Sequence, residues 1–284
     1  MPIPSASDAS PEPRRFLSRV PGLLWAGLAI VVFALGLRIG VPIYRQHIAV
    51  RAIEVAGGAV QTRPRGPDWL RKLLGEARMK MVDDVTAVSV VNQPATDATL
   101  HHAATLGSLQ KISFINTQIT DAGLMGMKGL PNLQELHLSQ SPVTDAGLAH
   151  LSGLTQLQQL SLEETQVTDT GLAHLKGLTE LKALRLADTR VTDAGLQQLR
   201  GLTSLVGLGL NHTAVTDDGL AYLEGLANLE YLSLERTNVT DAGLEPLKRL
   251  TNLKTLLLIG TRVSPGGVAD LQKALPGLKE LIFP

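Results

Sequence analysis

The chain repeats one 24-residue phrase over more than half of its length, and this period limits its fold more than any other feature. Starting at Leu106, the phrase restarts at Leu130, Leu154, Leu178, Leu202, Leu226 and Leu250. In the copy LTELKALRLADTRVTDAGLQQLRG, which begins at Leu178, leucines stand at positions 1, 4, 7 and 9. A fixed period of this length predicts a solenoid, in which each copy forms one coil and packs mainly against its neighbours.

Each copy begins with a predicted strand. Residues 183–187 alternate, which places Leu184 and Leu186 in the core and the residues beside them outside. Thr189 follows in a column of hydroxyl residues that recurs from copy to copy. A buried hydroxyl at this bend is expected to bond main-chain groups that the turn leaves unpaired.

The second half of each copy predicts a short helix. In VTDAGL, Thr192 is expected to cap the helix, and Asp193 lies near the positive end of its dipole. A glycine recurs inside the first turn, Gly195 in this copy. Since glycine is a poor helix former, its recurrence indicates a close approach by the neighbouring coil.

The pattern L-x-x-L-x-x-L-x-L-x-x-T-x-V-T-D-x-G-L-x-x-L resembles the leucine-rich repeats of the ribonuclease-inhibitor-like class. It is similar to those of F-box/leucine-rich-repeat proteins, whose Thr column is normally Cys. The resemblance implies an α/β fold, a right-handed horseshoe or arc with a parallel sheet on the concave face and helices on the convex face. An apolar segment followed by GPDWLRKLLG also resembles bacterial membrane-anchored leucine-rich repeat proteins. No F-box pattern precedes the repeats, so a ubiquitin-ligase adaptor role is not implied.

The N-terminal residues predict a membrane anchor. Residues 1–19 are expected to form a disordered basic tail, and 20–44 a transmembrane signal anchor, because Val20 to Leu37 carry no charge. A signal peptide cleaved after residue 34 and a buried helix of a soluble domain are the alternatives. A short basic leader usually stays in the cytoplasm. A single-pass protein with its repeats on the extracytoplasmic side is therefore predicted.

Residues 45–81 are predicted to be a juxtamembrane and N-terminal capping segment. The pattern indicates a helix stopped by Gly57-Gly58, a short strand at 59–62 and a second helix from Asp68, with an apolar stripe of Trp69, Leu70, Leu73 and Leu74. The leucine-rich repeat domain is expected to span 82–284. It begins with a degenerate copy rich in Val and ends with a half-copy that supplies one last strand.

The composition argues against several functions. The formal net charge is zero, whereas nucleic-acid binding requires a basic patch or stripe. The absence of cysteine removes thiolate nucleophiles and Cys-based zinc sites. No nucleic acid, cofactor or metal is therefore predicted as a partner.

The outward residues of the strands and their ends are predicted to bind a protein or peptide, because mixed charge with Tyr and Arg suits such partners. The residues chosen are Glu135, His137, Gln159, Glu163, Arg185, Asp188, Arg190, His212, Tyr231, Glu235 and Arg236. The alternative is that they form merely a solvated face. The function predicted is a non-enzymatic, membrane-anchored binding module. A soluble or secreted adaptor resembling the F-box/leucine-rich-repeat class is the first alternative.

A hydrolase is the remote alternative. Ser113, His137 and Ser161 fall in one column on adjacent strands, with Glu163 diagonal to His137. An open sheet offers no oxyanion hole or water-excluding pocket, which argues against catalysis. Two further patterns are predicted to have structural roles only. His150 and His174 are expected to be surface residues, and the recurring Asp is expected to cap the helices.

Overall fold

The computed structural model describes residues 22–283, which leaves the predicted tail, 1–19, outside them. The chain divides into two units, residues 1–44 and 45–284. A single helix, α1, runs over Gly22–Val55, so no break separates the predicted anchor from the helix expected after it. No Gly or Pro occurs between Pro42 and Gly57 to end it. Within the described residues, no helix combines the length and apolar character that a membrane span requires, and the predicted span is not supported.

One sheet runs through the second unit. Its order is the order of the chain, with β1 antiparallel to β2 and every later pair parallel. Among the described residues the strands are β1 Ala59–Arg63, β2 Asp84–Val91, β3 Lys111–Ile115, β4 Glu135–His137, β5 Gln159–Ser161, β6 Ala183–Arg185, β7 Gly207–Gly209, β8 Tyr231–Ser233, β9 Thr255–Leu257 and β10 Glu280–Ile282.

Short helices alternate with these strands. They are α2 Asp68–Leu74, α3 Glu76–Met79, α4 Asp97–Ala104, α5 Asp121–Leu124, α6 Asp145–Leu148, α7 Asp169–Leu172, α8 Asp193–Leu199, α9 Asp217–Leu220, α10 Leu244–Leu247 and α11 Pro265–Ala274. Five 3₁₀ segments accompany them in the described chain, at Met125–Gly129, Ala149–Leu151, Ala173–Leu175, Ala221–Leu223 and Asp241–Gly243. The alternation confirms the predicted solenoid with a parallel sheet.

Stacked leucines form one continuous core. Leu184 and Leu186 are fully buried, as the alternation predicts, and equivalent residues of every coil belong to the same cluster. At the bend that follows, the Thr189 hydroxyl donates to the carbonyl of Leu186 at 2.6 Å. The same bond recurs at positions 141, 165, 213, 237 and 261. This confirms the predicted role of the hydroxyl column at six of its seven positions, and Thr117 is the exception, with no partner for its hydroxyl.

The recurring Asp joins one coil to the next, which helix capping alone does not explain. Asp169 accepts hydrogen bonds from the Thr192 main-chain N–H at 2.8 Å and from its hydroxyl at 2.6 Å. The pair of bonds repeats from Asp97 through Asp241. A Cβ on Gly195 would lie closer than 3.0 Å to Asp169. The glycine column therefore makes room for the carboxylate of the preceding coil.

Residues 45–81 pack against the first coil. Strand β1 adds an antiparallel edge to β2, and Ala49 and Ile53 join the same apolar core as the repeats. Of the apolar stripe predicted for the second helix, Leu70 is partly buried, whereas Trp69 is 65% exposed and Leu73 is 72% exposed. Gly75, at φ +82°, ends α2 after seven residues, and Met79 of α3 is buried instead.

Candidate partner-binding face

The register of the parallel strands arranges the outward side chains in two rows across the concave face. The first row comprises Lys111, Glu135, Gln159, Ala183, Gly207, Tyr231 and Thr255. The second row comprises Ser113, His137, Ser161, Arg185, Gly209, Ser233 and Leu257. Five of the predicted binding residues, Glu135, His137, Gln159, Arg185 and Tyr231, thus lie on the sheet itself.

The remaining predicted residues lie just beyond the strands. Glu163 and Glu235 follow β5 and β8 by two residues. Asp188, His212 and Arg236 occupy the next position, where the backbone is left-handed, and Arg190 lies on the loop after it. The structure places these residues along one edge of the concave sheet, beside the rows.

A left-handed column runs along this edge, and it was not anticipated from the sequence. The residues with φ between 51° and 57° are Asn92, Asn116, Gln140, Glu164, Asp188, His212 and Arg236. Left-handed backbone costs a non-glycine residue about 1 kcal/mol or more. Each of these residues donates its N–H to a carbonyl of the following coil, for example Asp188 to Asn211 at 2.9 Å. Gly260 ends the column at φ +74°, and the Asn, Asp and His residues of the column are the non-glycine types that most often adopt this conformation.

Side chains of the left-handed column border an open groove of about 650 Å³. Gln140, Glu164, Asp188 and His212 line it together with Arg190. Gln140 donates to Glu164 at 2.8 Å, and His212 Nδ1 lies 3.5 Å from an Asp188 carboxylate oxygen. The groove therefore has hydrogen-bonding groups of both kinds, which suits polar main chain.

Charge is unevenly paired across the concave face. Lys111 and Glu135 form an ion pair at 2.5 Å, and Asn211 donates to Glu235 at 3.0 Å. Arg185, Arg190 and Arg236 are exposed and form no ion pair within the described part of the chain. Unpaired guanidinium groups keep their donors available for a partner.

The serines of the second row are not solvent-facing. Ser113 and Ser161 are only 7% and 3% exposed, although both were expected on the open face. Ser161 instead hydrogen-bonds Ser139 at 2.8 Å and reaches Glu163 at 3.4 Å.

His137 lies between Ser113 and Ser161 on adjacent strands, as the hydrolase alternative requires. Its Nε2 has no hydrogen-bond partner among the described residues, and its nearest carboxylate is Glu135 at 3.8 Å. Burial lowers the pKa of His137, and the nearby charge of Lys111 lowers it further. The arrangement lacks the hydrogen bond between nucleophile and base on which a hydrolase depends.

The histidines of the convex side are also apart from any cluster. His150 and His174 lie in 3₁₀ segments one coil apart. Within residues 22–283, no group of three or more potential ligands is placed to hold a metal ion.

A cleft in the concave face escaped the sequence analysis. Strand β7 has glycine at both outward positions, Gly207 and Gly209, and a cleft of about 400 Å³ opens there between Arg185 and Tyr231. The signal was present in VGLGL, where two outward side chains are missing from one strand.

Comparison with known families supports the repeat assignment. A family profile described as leucine-rich repeat matches residues 129–152 and 225–248. No curated protein sequence matches the chain. Internalin C2 from Listeria monocytogenes is similar in structure, with 27% sequence identity and a TM-score of 0.58 over 70% of this chain and 81% of the internalin.

Two Arabidopsis thaliana receptor-kinase ectodomains share the fold. That of HAESA, solved with an IDA peptide hormone, is 19% identical with a TM-score of 0.55 over 71% of this chain. That of GASSHO1/SCHENGEN3, solved with CASPARIAN STRIP INTEGRITY FACTOR 2, is 15% identical with a TM-score of 0.50 over 78%. The matches span only 34% and 28% of those ectodomains. This chain carries leucine-rich repeats and folds as a leucine-rich repeat solenoid.

Proposed function

We propose that this chain is a non-enzymatic binding module whose concave face and left-handed edge recognise a protein or an extended peptide. The observation that carries the proposal is that three exposed arginines without an ion-pair partner among the described residues, Arg185, Arg190 and Arg236, lie on the same face and edge of the sheet as the exposed Tyr231. Arg and Tyr are enriched where protein interfaces concentrate their binding free energy. Neither the apolar core nor the hydrogen bonds between coils require Arg or Tyr at these positions.

The solved neighbours support a recognition role. The HAESA ectodomain was solved with a bound peptide hormone, and the GASSHO1/SCHENGEN3 ectodomain with CASPARIAN STRIP INTEGRITY FACTOR 2. Their sequence identity is below 25%, so they support the fold and its capacity for such ligands, while the partner of this chain follows from its own side chains. The groove beside Asp188 and His212 offers donors and acceptors along its length, which an extended main chain can use.

Selection of peptides from a displayed random library on the immobilised full chain tests this proposal. Arg185→Ala and Arg236→Ala should each weaken the selected peptides about tenfold or more, since truncating a central interface residue costs about 2 kcal/mol. The melting temperature should not change, because both side chains are exposed.

A matched control lies on the opposite face. Arg200 is the exposed residue that follows α8, and Gln197 is an exposed residue within α8. The control variants are Arg200→Ala and Gln197→Ala. Neither change should affect peptide affinity. If these convex variants lose affinity while the concave variants bind normally, the proposal has placed recognition on the wrong face.

We also propose attachment to a membrane through residues 20–44, with the repeats on the extracytoplasmic side. This rests on the uncharged stretch from Val20 to Leu37 and its basic leader, and the described helices give it no support. Membrane fractionation and protease protection of the full chain test it. Recovery of the full chain in the soluble fraction would contradict the anchor, and protected repeats would contradict the orientation.

A further inference from the structure

The two glycines of β7 are not required by the backbone. Neither Gly207 nor Gly209 has a positive φ. A Cβ at Gly207 would meet nothing within 4 Å, and one at Gly209 would come no closer than 3.9 Å to Arg185. Glycine within a strand weakens it, and it often marks a place where a ligand or another backbone approaches closely. The missing side chains therefore leave space that the fold itself does not use.

The walls of this space are chemically specific. The register places Ala183 beside Gly207 in the first row, and Gly209 follows on the same strand, so three small residues form the floor. Arg185 and Tyr231 stand at opposite corners, both exposed. With strands about 4.8 Å apart and a rise of about 3.3 Å per residue, the two corners are separated by about 12 Å.

We propose that this notch, formed by Ala183, Gly207 and Gly209 between Arg185 and Tyr231, receives an aromatic side chain of the partner. A ring at its centre would lie about 6 Å from each corner, within the range of aromatic pairing and of cation–π contact. The inference rests on the proposed binding function and names the anchor that the concave face recognises.

Two observations favour a neutral ring over an acidic group. Glu163 lines the same cleft, and its carboxylate would repel an incoming one. Arg185 has no ion-pair partner among the described residues, so its guanidinium can stack on a ring.

N-acetyl-tryptophanamide is the probe, observed by saturation-transfer NMR on the full chain. Its ring protons should receive magnetisation from the parent, whereas N-acetyl-leucinamide and N-acetyl-glutamate should receive little. Gly207→Val should abolish the effect with an unchanged or higher melting temperature, because valine favours a strand and its Cβ fits. Gly225→Val, a glycine on the convex side with equal space for a Cβ, should keep it.

The arginine wall has its own test. Arg185→Gln should lower the affinity for the probe about fivefold, because one cation–π contact is lost. Arg185→Lys should retain most of the parent's affinity, because the cation is kept. If a folded Gly207→Val protein binds N-acetyl-tryptophanamide normally, the notch is not the binding site. If N-acetyl-glutamate binds more strongly than N-acetyl-tryptophanamide, the aromatic assignment is wrong.

Peptides selected on the full chain separate this inference from the proposed function. If they lose affinity in Arg236→Ala but not in Gly207→Val, the notch is wrong and the binding face stands. If the affinity of the peptides is unchanged in every concave variant, the proposed function is wrong, whatever the result with the probe. Enrichment of aromatic residues together with sensitivity to Gly207→Val supports the anchor.

Discussion

At the scale of single residues, hydroxyl side chains donate to main-chain carbonyls at the bends of the coils. Thr189 is 7% exposed, and its hydroxyl satisfies the Leu186 carbonyl, which would otherwise be buried without that bond. Thr117 occupies the same column and is equally buried, but its hydroxyl has no partner. Two identical residues in equivalent positions therefore differ in one hydrogen bond.

This difference yields a paired prediction. Thr189→Val should lower the free energy of unfolding by about 1–3 kcal/mol, because it keeps the shape and leaves a buried carbonyl short of a donor. Thr117→Val should be neutral or stabilising, since it replaces an unbonded buried hydroxyl by a methyl group. Chemical denaturation measures both. Equal losses in the two variants would show that the hydrogen bond does not matter.

The residue scale also shows how far the sequence could predict the molecule. Leu184, Leu186 and Thr189 were placed correctly because their roles depend on a period that the sequence displays. The left-handed backbone at Asp188 was missed, because the carbonyl that fixes it lies on the next coil, and the column also contains Gln140, Glu164 and Arg236, which do not favour this conformation. The cleft at Gly207 was missed for a related reason, since an absent side chain has no periodicity to follow.

At the scale of elements, each helix start is tied to the helix start before it. Asp145 accepts bonds from the main-chain N–H and hydroxyl of Thr168, and from the Thr170 hydroxyl. Burial raises the pKa of Asp145, but the hydrogen bonds from Thr168 and Thr170 outweigh it and hold the pKa below its ordinary value. The ionised carboxylate is thus the form that joins the coils.

The pH dependence follows from that direction. A pKa lowered by folding contributes stability that is present above the unfolded value of about 3.9 and is lost as the pH falls through the folded value. Asp145→Asn should therefore be less stable than the parent at pH 7, by about 1–3 kcal/mol in the free energy of unfolding, and the difference should shrink as the pH falls below about 3.9. Asp218→Asn, an exposed position in a first turn, is the control and should show little change. A gap between Asp145→Asn and parent that stays constant from pH 7 to 3 would contradict the ionised bond.

At the scale of the whole molecule, the solenoid is a sum of coils that contact mainly their neighbours. Deleting residues 178–201 removes one whole coil and brings Asp169 to the position from which it can serve Thr216. The shortened protein should fold and melt cooperatively. Deleting only 190–201 places a strand where a helix is needed, and it should unfold the array or make it aggregate. Circular dichroism and thermal melting distinguish the two, and identical behaviour would refute the modular fold.

The Asp-to-Thr bonds also give the stack a polarity. Every carboxylate from Asp97 to Asp241 serves the coil that follows it, and the last of them serves Ser264. The next position in that series is Pro265, which has no carboxylate to offer. Any further coil stacked on this side, from the same molecule or another, would meet Pro265 where each earlier coil presents a carboxylate. The Asp-to-Thr bond cannot join such a coil to the stack.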